Sequence, residues 1–81
     1  MRVEIVLPDL GEDSVENVTI SGRLAAIGAT LREGDDLLEL TTDKAAFTVP
    51  CPRPGTVAEW KVDAGDVIRV GEVICVLDVE V

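Results

Sequence analysis

Lys44 stands in a short polar break between two runs that alternate apolar and polar residues. Leu37-Leu38-Glu39-Leu40-Thr41 precedes it and Ala46-Phe47-Thr48-Val49 follows. A period-2 pattern on both sides of such a break reads as a β-hairpin with the break at its tip. A lysine at a tip points to solvent, and packing gives no reason for its type. An exposed amine can be deprotonated inside another protein's active site and modified there. The side chains that would let the chain do chemistry of its own are missing. It has no histidine, so the commonest general base and metal ligand are absent. Without histidine, Cys51 and the serines lack a partner to activate them. The acidic pairs Asp35-Asp36 and Glu12-Asp13 lack the alternating oxygen spacing of a calcium loop, and there is no glycine-rich phosphate loop.

The elements that carry Lys44 show themselves through an internal repeat. When the chain is displaced by 37 residues, Thr19 falls on Thr56, Gly28 on Gly65, Arg32 on Arg69, Gly34 on Gly71 and Leu40 on Leu77. Ile20 with Val57, Leu31 with Ile68, Asp35 with Glu72 and Leu37 with Ile74 are conservative pairs between them. A glycine pair recurring at the same spacing in both halves implies one backbone turn built twice, because glycine reaches φ > 0 without steric cost. Two units are too few for an open solenoid. They suit one closed domain with quasi-two-fold symmetry, and Lys44 lies in the connection between its halves.

With 81 residues, the chain is one small domain, residues 1–81. A domain of this size buries only about 60–65% of its unfolded surface, so its core must be well filled. The apolar residues are Val, Leu, Ile and Ala, with one Phe, one Trp and no Tyr, and Val-rich runs broken by glycines favour strands. Strands are expected near 3–7, 18–24, 37–41, 46–49, 56–62 and 73–79, with short extended pieces near 30–32 and 67–69. Short strands at this spacing indicate an all-β sandwich or flattened barrel. Pro50, Pro52 and Pro54 cannot donate to a central ladder, which puts that segment at a crossing or an edge. Arg23 to Ile27 is too short for a helix and reads as strand and turn.

The net charge of −9 excludes a nucleic-acid partner, which requires a basic face, and an anionic membrane surface. It agrees with a partner that offers a basic surface, although most of the carboxylates simply solvate the domain. The first residues lack the apolar run of a signal peptide, and no apolar stretch is long enough for a membrane helix. Cys75 falls on Leu38 in the repeat and reads as a buried small hydrophobe. Cys51, between two prolines, reads as the more accessible thiol. A disulfide between them is disfavoured in the absence of an export signal. Trp60 has Arg23 as its repeat counterpart and reads as core or edge cover.

The pattern resembles the lipoyl domains of 2-oxo acid dehydrogenase complexes, within the biotinyl/lipoyl attachment family. The resemblance rests on Leu7-Pro8-Asp9-Leu10-Gly11-Glu12, Gly34-Asp35-Asp36-Leu37, Thr42-Asp43-Lys44-Ala45, Val49-Pro50-Cys51-Pro52 with Gly55, and Gly65-Asp66 with Gly71. These cover nearly the whole chain in the family's order. The chain departs from the family's usual pattern at Thr41, at Gly28-Ala29 and at Cys51. The resemblance implies two four-stranded antiparallel sheets forming a flattened barrel, with lipoate in amide linkage to Lys44 on a tight turn. It implies a swinging dithiolane that accepts an acyl group at a thiamine-dependent 2-oxo acid decarboxylase and delivers it to an acyltransferase catalytic domain. A flavin-dependent dihydrolipoamide dehydrogenase then reoxidises it. The chain itself would be a carrier and no enzyme.

On this reading Lys44 carries the covalent group. Asp43 and Ala45 are recognition positions for a lipoate ligase or lipoyl transferase, and Asp43 has a second available role in bonding its own turn backbone. Gly11, Glu12 and Asp13 open a polar loop expected to contact the decarboxylase. The expected location is the cytoplasm, or the mitochondrial matrix of a eukaryote. Two rival readings are carried forward. A biotin carboxyl carrier typically shows Met on both sides of its lysine, against Asp43 and Ala45 here. An unmodified acidic docking module would use the hairpin and acidic face to hold a partner.

Overall fold

The computed structural model describes residues 1–9 and 17–80. Among these residues eight strands follow in order: β1 (Arg2–Val6), β2 (Val18–Arg23), β3 (Thr30–Leu31), β4 (Asp36–Thr41), β5 (Ala46–Pro50), β6 (Gly55–Trp60), β7 (Val67–Ile68) and β8 (Val73–Asp78). They form two four-stranded antiparallel sheets with strand orders β1-β8-β6-β3 and β5-β4-β2-β7. This is the sandwich-like flattened barrel expected from the sequence. Among the described residues no helix is long and apolar enough to cross a membrane.

The 37-residue repeat is a quasi-dyad that exchanges the sheets. It carries β2, β3 and β4 onto β6, β7 and β8, strand for strand. The turns obey it hydrogen bond by hydrogen bond. Leu24 N donates to Leu37 O and Lys61 N to Ile74 O; Ile20 N donates to Asp66 O and Val57 N to Ala29 O. Arg32 N donates to the Asp35 carboxylate, and Arg69 N to that of Glu72. Gly34 and Gly71 adopt φ of 91° and 94°, and Gly28 and Gly65 adopt 93° and 95°. These are the repeated left-handed turns that the glycine spacing implied.

Bulges set which side chains face inward. The β4–β5 register slips between Asp36 and Leu38, and β1–β8 slips between Ile5 and Val6. An extra residue in one strand breaks strict alternation. That is how adjacent Leu37 and Leu38, and adjacent Ile74 and Cys75, are all fully buried. Inward residues from both sheets, among them Leu7, Ile20, Leu40, Val57 and Leu77, fill one core. No polar or charged side chain is buried among the described residues.

Two sequence expectations about individual side chains are resolved here. Cys51 is 1% exposed, not the accessible thiol its flanking prolines suggested. Its backbone exchanges hydrogen bonds with Asp35 and Gly34 as that of Leu7 does with Glu72 and Gly71. The quasi-dyad therefore places Cys51 at a core position equivalent to Leu7. Both cysteines are free thiols. Burial, with Cys51 nearby as a smaller cause, pushes the Cys75 thiol up to about 11. Trp60, half-buried at the end of an inner strand, packs against the core, and its indole Nε1 donates to Ala25 O at 3.0 Å. The Arg23 guanidinium lies 5.8 Å from its ring centroid, within cation–π range, and also pairs with Asp63 at 3.1 Å. Arg23 and Trp60 are quasi-equivalent residues that meet, so the pair straddles the dyad.

Candidate functional site

β4 and β5 are the hairpin expected on either side of Lys44. Pairing runs Leu38↔Val49, Glu39↔Thr48, Leu40↔Phe47 and Thr41↔Ala46. Leu40 is fully buried and Phe47 packs against the core, so the last inward pair fastens the hairpin just below its tip. β5 is the outer strand of its sheet, which accommodates Pro50 without loss of a central hydrogen bond.

The tip itself is Thr42-Asp43-Lys44-Ala45. Thr42 N donates to Ala45 O at 2.8 Å. The return donors are taken up by a side chain: Lys44 N and Ala45 N both donate to Thr42 Oγ1 at 3.2 Å. The same hydroxyl donates to Ala45 O at 3.3 Å. One hydroxyl thus uses both acceptor positions and its single proton, closing the turn from within. Sequence reasoning missed this role of Thr42. The available signal was a hydroxyl residue at the first position of a turn, where it bonds backbone amides ahead of it.

Lys44 is exposed. Among the described residues its Nζ has neither an ion pair nor a hydrogen bond. Asp43 and Ala45 flank it, both exposed. The Asp43 carboxylate makes no hydrogen bond to the turn, because Thr42 fills the capping role that Asp43 could have taken. The structure therefore gathers Asp43, Lys44 and Ala45 on one exposed turn, with an amine that has no partner among the described residues. Gly11, Glu12 and Asp13, expected to face a decarboxylase, lie outside the described residues. No cluster of His, Cys, Asp or Glu able to hold a metal is present among the described residues.

An exposed amine on a short, internally bonded turn can be inserted into an enzyme's active site without unfolding its support. A long acyl chain fits there in amide linkage, because Nζ gives up no existing partner when it becomes an amide. The tip therefore meets the requirements of a covalent attachment site.

Comparison with known proteins gives the family. The profile of the biotin-requiring enzyme (biotin/lipoyl) family matches residues 3–77. The dihydrolipoyllysine-residue acetyltransferase component of the pyruvate dehydrogenase complex of Corynebacterium glutamicum is 41% identical over 71 residues, 88% of this chain and 10% of that protein. The protein of the same description from Staphylococcus epidermidis is 41% identical over 78 residues, 96% of this chain and 18% of that protein. The chain thus spans less than a fifth of these relatives' length. The solution structure of the lipoyl domain of the 2-oxoglutarate dehydrogenase complex from Azotobacter vinelandii superposes with a TM-score of 0.72 at 20% identity. That superposition covers 94% of this chain and 96% of the other, and it bears on the fold. With the family's profile matching nearly end to end and the repeat, sheets and hairpin in place, the chain belongs to the biotin/lipoyl attachment family.

Proposed function

We infer that this chain is a lipoyl carrier domain of a dihydrolipoyl acyltransferase, with lipoate joined to Lys44 through an amide. The observation that carries the reading is the free, exposed Lys44 amine on a hairpin tip closed by Thr42. When attached, the lipoyl group supplies a dithiolane that holds an acyl group and carries electrons. The chain's own contribution is to hold the amide nitrogen at a fixed, unobstructed point on a rigid sheet. Asp43 and Ala45 are the side chains a lipoate ligase or lipoyl transferase meets first. Gly11, Glu12 and Asp13 are assigned to decarboxylase contact by family resemblance alone.

The partners that follow are a thiamine-dependent 2-oxo acid decarboxylase, an acyltransferase catalytic domain and dihydrolipoamide dehydrogenase. They would work together in the cytoplasm, or in the mitochondrial matrix of a eukaryote. The relatives named above are components of a pyruvate dehydrogenase complex, and the structural neighbour comes from a 2-oxoglutarate complex. The class they share is the oxidation of 2-oxo acids. Asp43 and Ala45, in place of paired methionines, speak against biotin as the attached group.

The test is incubation of the purified chain with lipoate ligase, ATP and lipoate, followed by intact mass and peptide mapping. One lipoyl increment on Lys44 is expected, and none on Lys44→Arg, with unchanged stability because the side chain has no partner to lose. Addition of biotin by a biotin ligase instead would move the chain to the carboxylase carriers. No increment from either enzyme would leave the acidic docking module as the better reading.

A further inference from the structure

The quasi-dyad allows each surface residue to be compared with a counterpart in the same backbone setting. Immediately below the Lys44 tip, the outer face of one sheet carries a cross-strand row. Ala46 pairs with Thr41, Thr41 with Thr19, and Thr19 with Val67. The counterpart row on the other sheet is Arg2, Asp78, Thr56 and Thr30. There Asp78 also pairs with the amino terminus at 3.5 Å. The backbone is the same and the chemistry is not. In a chain of net charge −9, the row beside Lys44 carries no charge, and it ends in Val67, which is 62% exposed on an outer strand. Three residues on, Val70 is 44% exposed, where its repeat counterpart is Glu33. The fold does not require a neutral row or an exposed valine there, since it is built equally well with Arg2, Asp78 and Glu33 in place of Ala46, Thr41 and Val70, and with Thr30 in place of Val67. An exposed apolar residue on an edge strand is moreover a liability that proteins ordinarily cover with charge.

We propose that the row Ala46–Thr41–Thr19–Val67 is the face that seats against the enzyme attaching the acyl group to Lys44. This rests on the carrier reading and adds the surface by which the unmodified domain is recognised. Two considerations choose that partner over those that use the loaded arm. An attaching enzyme must draw the amine of a bare lysine into its own active site, so the domain surface next to the tip has to approach its rim closely. A partner acting on the dithiolane works at the far end of a longer arm and has no such need. Close seating also removes water from the row, and a charge there would be desolvated without a partner. Neutral Thr, Ala and Val side chains avoid that cost. Carboxylates outside the row, such as the exposed Asp43 and Asp66, keep their water at its margin and attract a basic rim at longer range.

The experiment measures initial rates of lipoate transfer to the apo-domain by purified lipoate ligase with ATP, read by intact mass. The variants are Val67→Asp, Ala46→Asp and, on the counterpart row, Thr30→Asp. The first two place a charge at opposite ends of the row on different strands, so misfolding of one leaves the other informative. Native folding is checked by the dispersion of the amide NMR spectrum. In natively folded variants, Val67→Asp and Ala46→Asp should lower kcat/KM by about tenfold or more, chiefly through KM, as expected for hot-spot positions. Thr30→Asp should stay at the wild-type rate. Wild-type rates for folded Val67→Asp and Ala46→Asp would overturn the proposed face while leaving the carrier reading intact. Absence of loading in the wild type would overturn the carrier reading, and the face with it. An equal loss in Thr30→Asp would also overturn it, by showing a general effect of added negative charge.

Discussion

Replacement of Thr42 by alanine isolates the device that holds Lys44 in place. In the native turn the Thr42 hydroxyl accepts from the amides of Lys44 and Ala45, each at 3.2 Å. These lengths are at the long end of the normal range, and the groups are exposed, so each bond is worth about 0.5 kcal/mol, the lower end of the usual net contribution. Losing both raises the free energy of the closed turn by about 1 kcal/mol, the hydroxyl's own bond to Ala45 O at 3.3 Å being too long to add much, and this increases the population of opened turns about fivefold. The shorter main-chain bond from Thr42 N to Ala45 O, at 2.8 Å, and the buried Leu40 opposite Phe47 below it are untouched. The loosening should stop at the tip. Amide hydrogen exchange by NMR, corrected for intrinsic rates, reads this directly. Lys44 and Ala45 should exchange about fivefold faster in Thr42→Ala, the β4 and β5 amides should be unchanged, and Thr42→Ser should restore native rates. Unchanged exchange at Lys44 and Ala45 would refute the reasoning, showing that the main chain alone closes the turn.

Two further predictions follow from the frame. Gly34 and Gly71 sit at φ of 91° and 94° with open space where a Cβ would go, so alanine meets backbone strain and no collision. Each substitution should cost about 1–2 kcal/mol in urea unfolding, and the two costs should match because the turns are equivalent. Cys75 gives a pH dependence of definite sign. Its thiol pKa rises from 9.0 to about 11 on folding, so both states hold the proton below pH 9 and this contribution is intact there. Between pH 9 and 11 the unfolded thiol ionises while the folded one does not, and stability falls, by about 2 kcal/mol at pH 11. The stability difference between wild type and Cys75→Ala, from urea unfolding at stepped pH, should therefore shrink by that amount over the window.

The eight strands were legible because the chain states its frame twice. Period-2 runs and repeated glycines mark β2 to β4 and again β6 to β8, and the turn at Lys44 joins two such runs. The bulges were not legible. Leu37 beside Leu38 breaks the alternation, and only the slipped register with Pro50 and Val49 shows how both turn inward. Cys51 was misjudged for a related reason. β1 and β5 are also quasi-equivalent, but at a different chain offset from the other strands, so the comparison that paired Cys75 with Leu38 left Cys51 without its buried counterpart Leu7. At the site, the type and placement of Lys44 could be read from sequence, whereas the work of Thr42 could not. A threonine beside Asp43 competes with it for the same turn amides, and only geometry decides between them.

The same comparison of halves separates what the fold requires from what it does not. The dyad carries the bond from Thr42 N to Ala45 O onto one from Val79 N to Met1 O, at 2.8 and 2.7 Å. Met1 N also donates to Val79 O at 2.8 Å, where at the tip the corresponding amide of Ala45 turns to the Thr42 hydroxyl. Closure of the two strand ends is thus required at both places. What lies between them at the tip, Asp43 and Lys44, has no counterpart that the fold uses. The neutral row beneath the tip has a counterpart in which Arg2 and Asp78 stand where it has Ala46 and Thr41, and Thr30 where it has Val67. Residues dispensable to the fold can be fixed by chemistry alone, and here they coincide with the free Lys44 amine on a closed turn. Substitutions at Lys44 and Val67 should therefore separate loading from stability, whereas those at Gly34, Gly71 and Cys75 act on stability first.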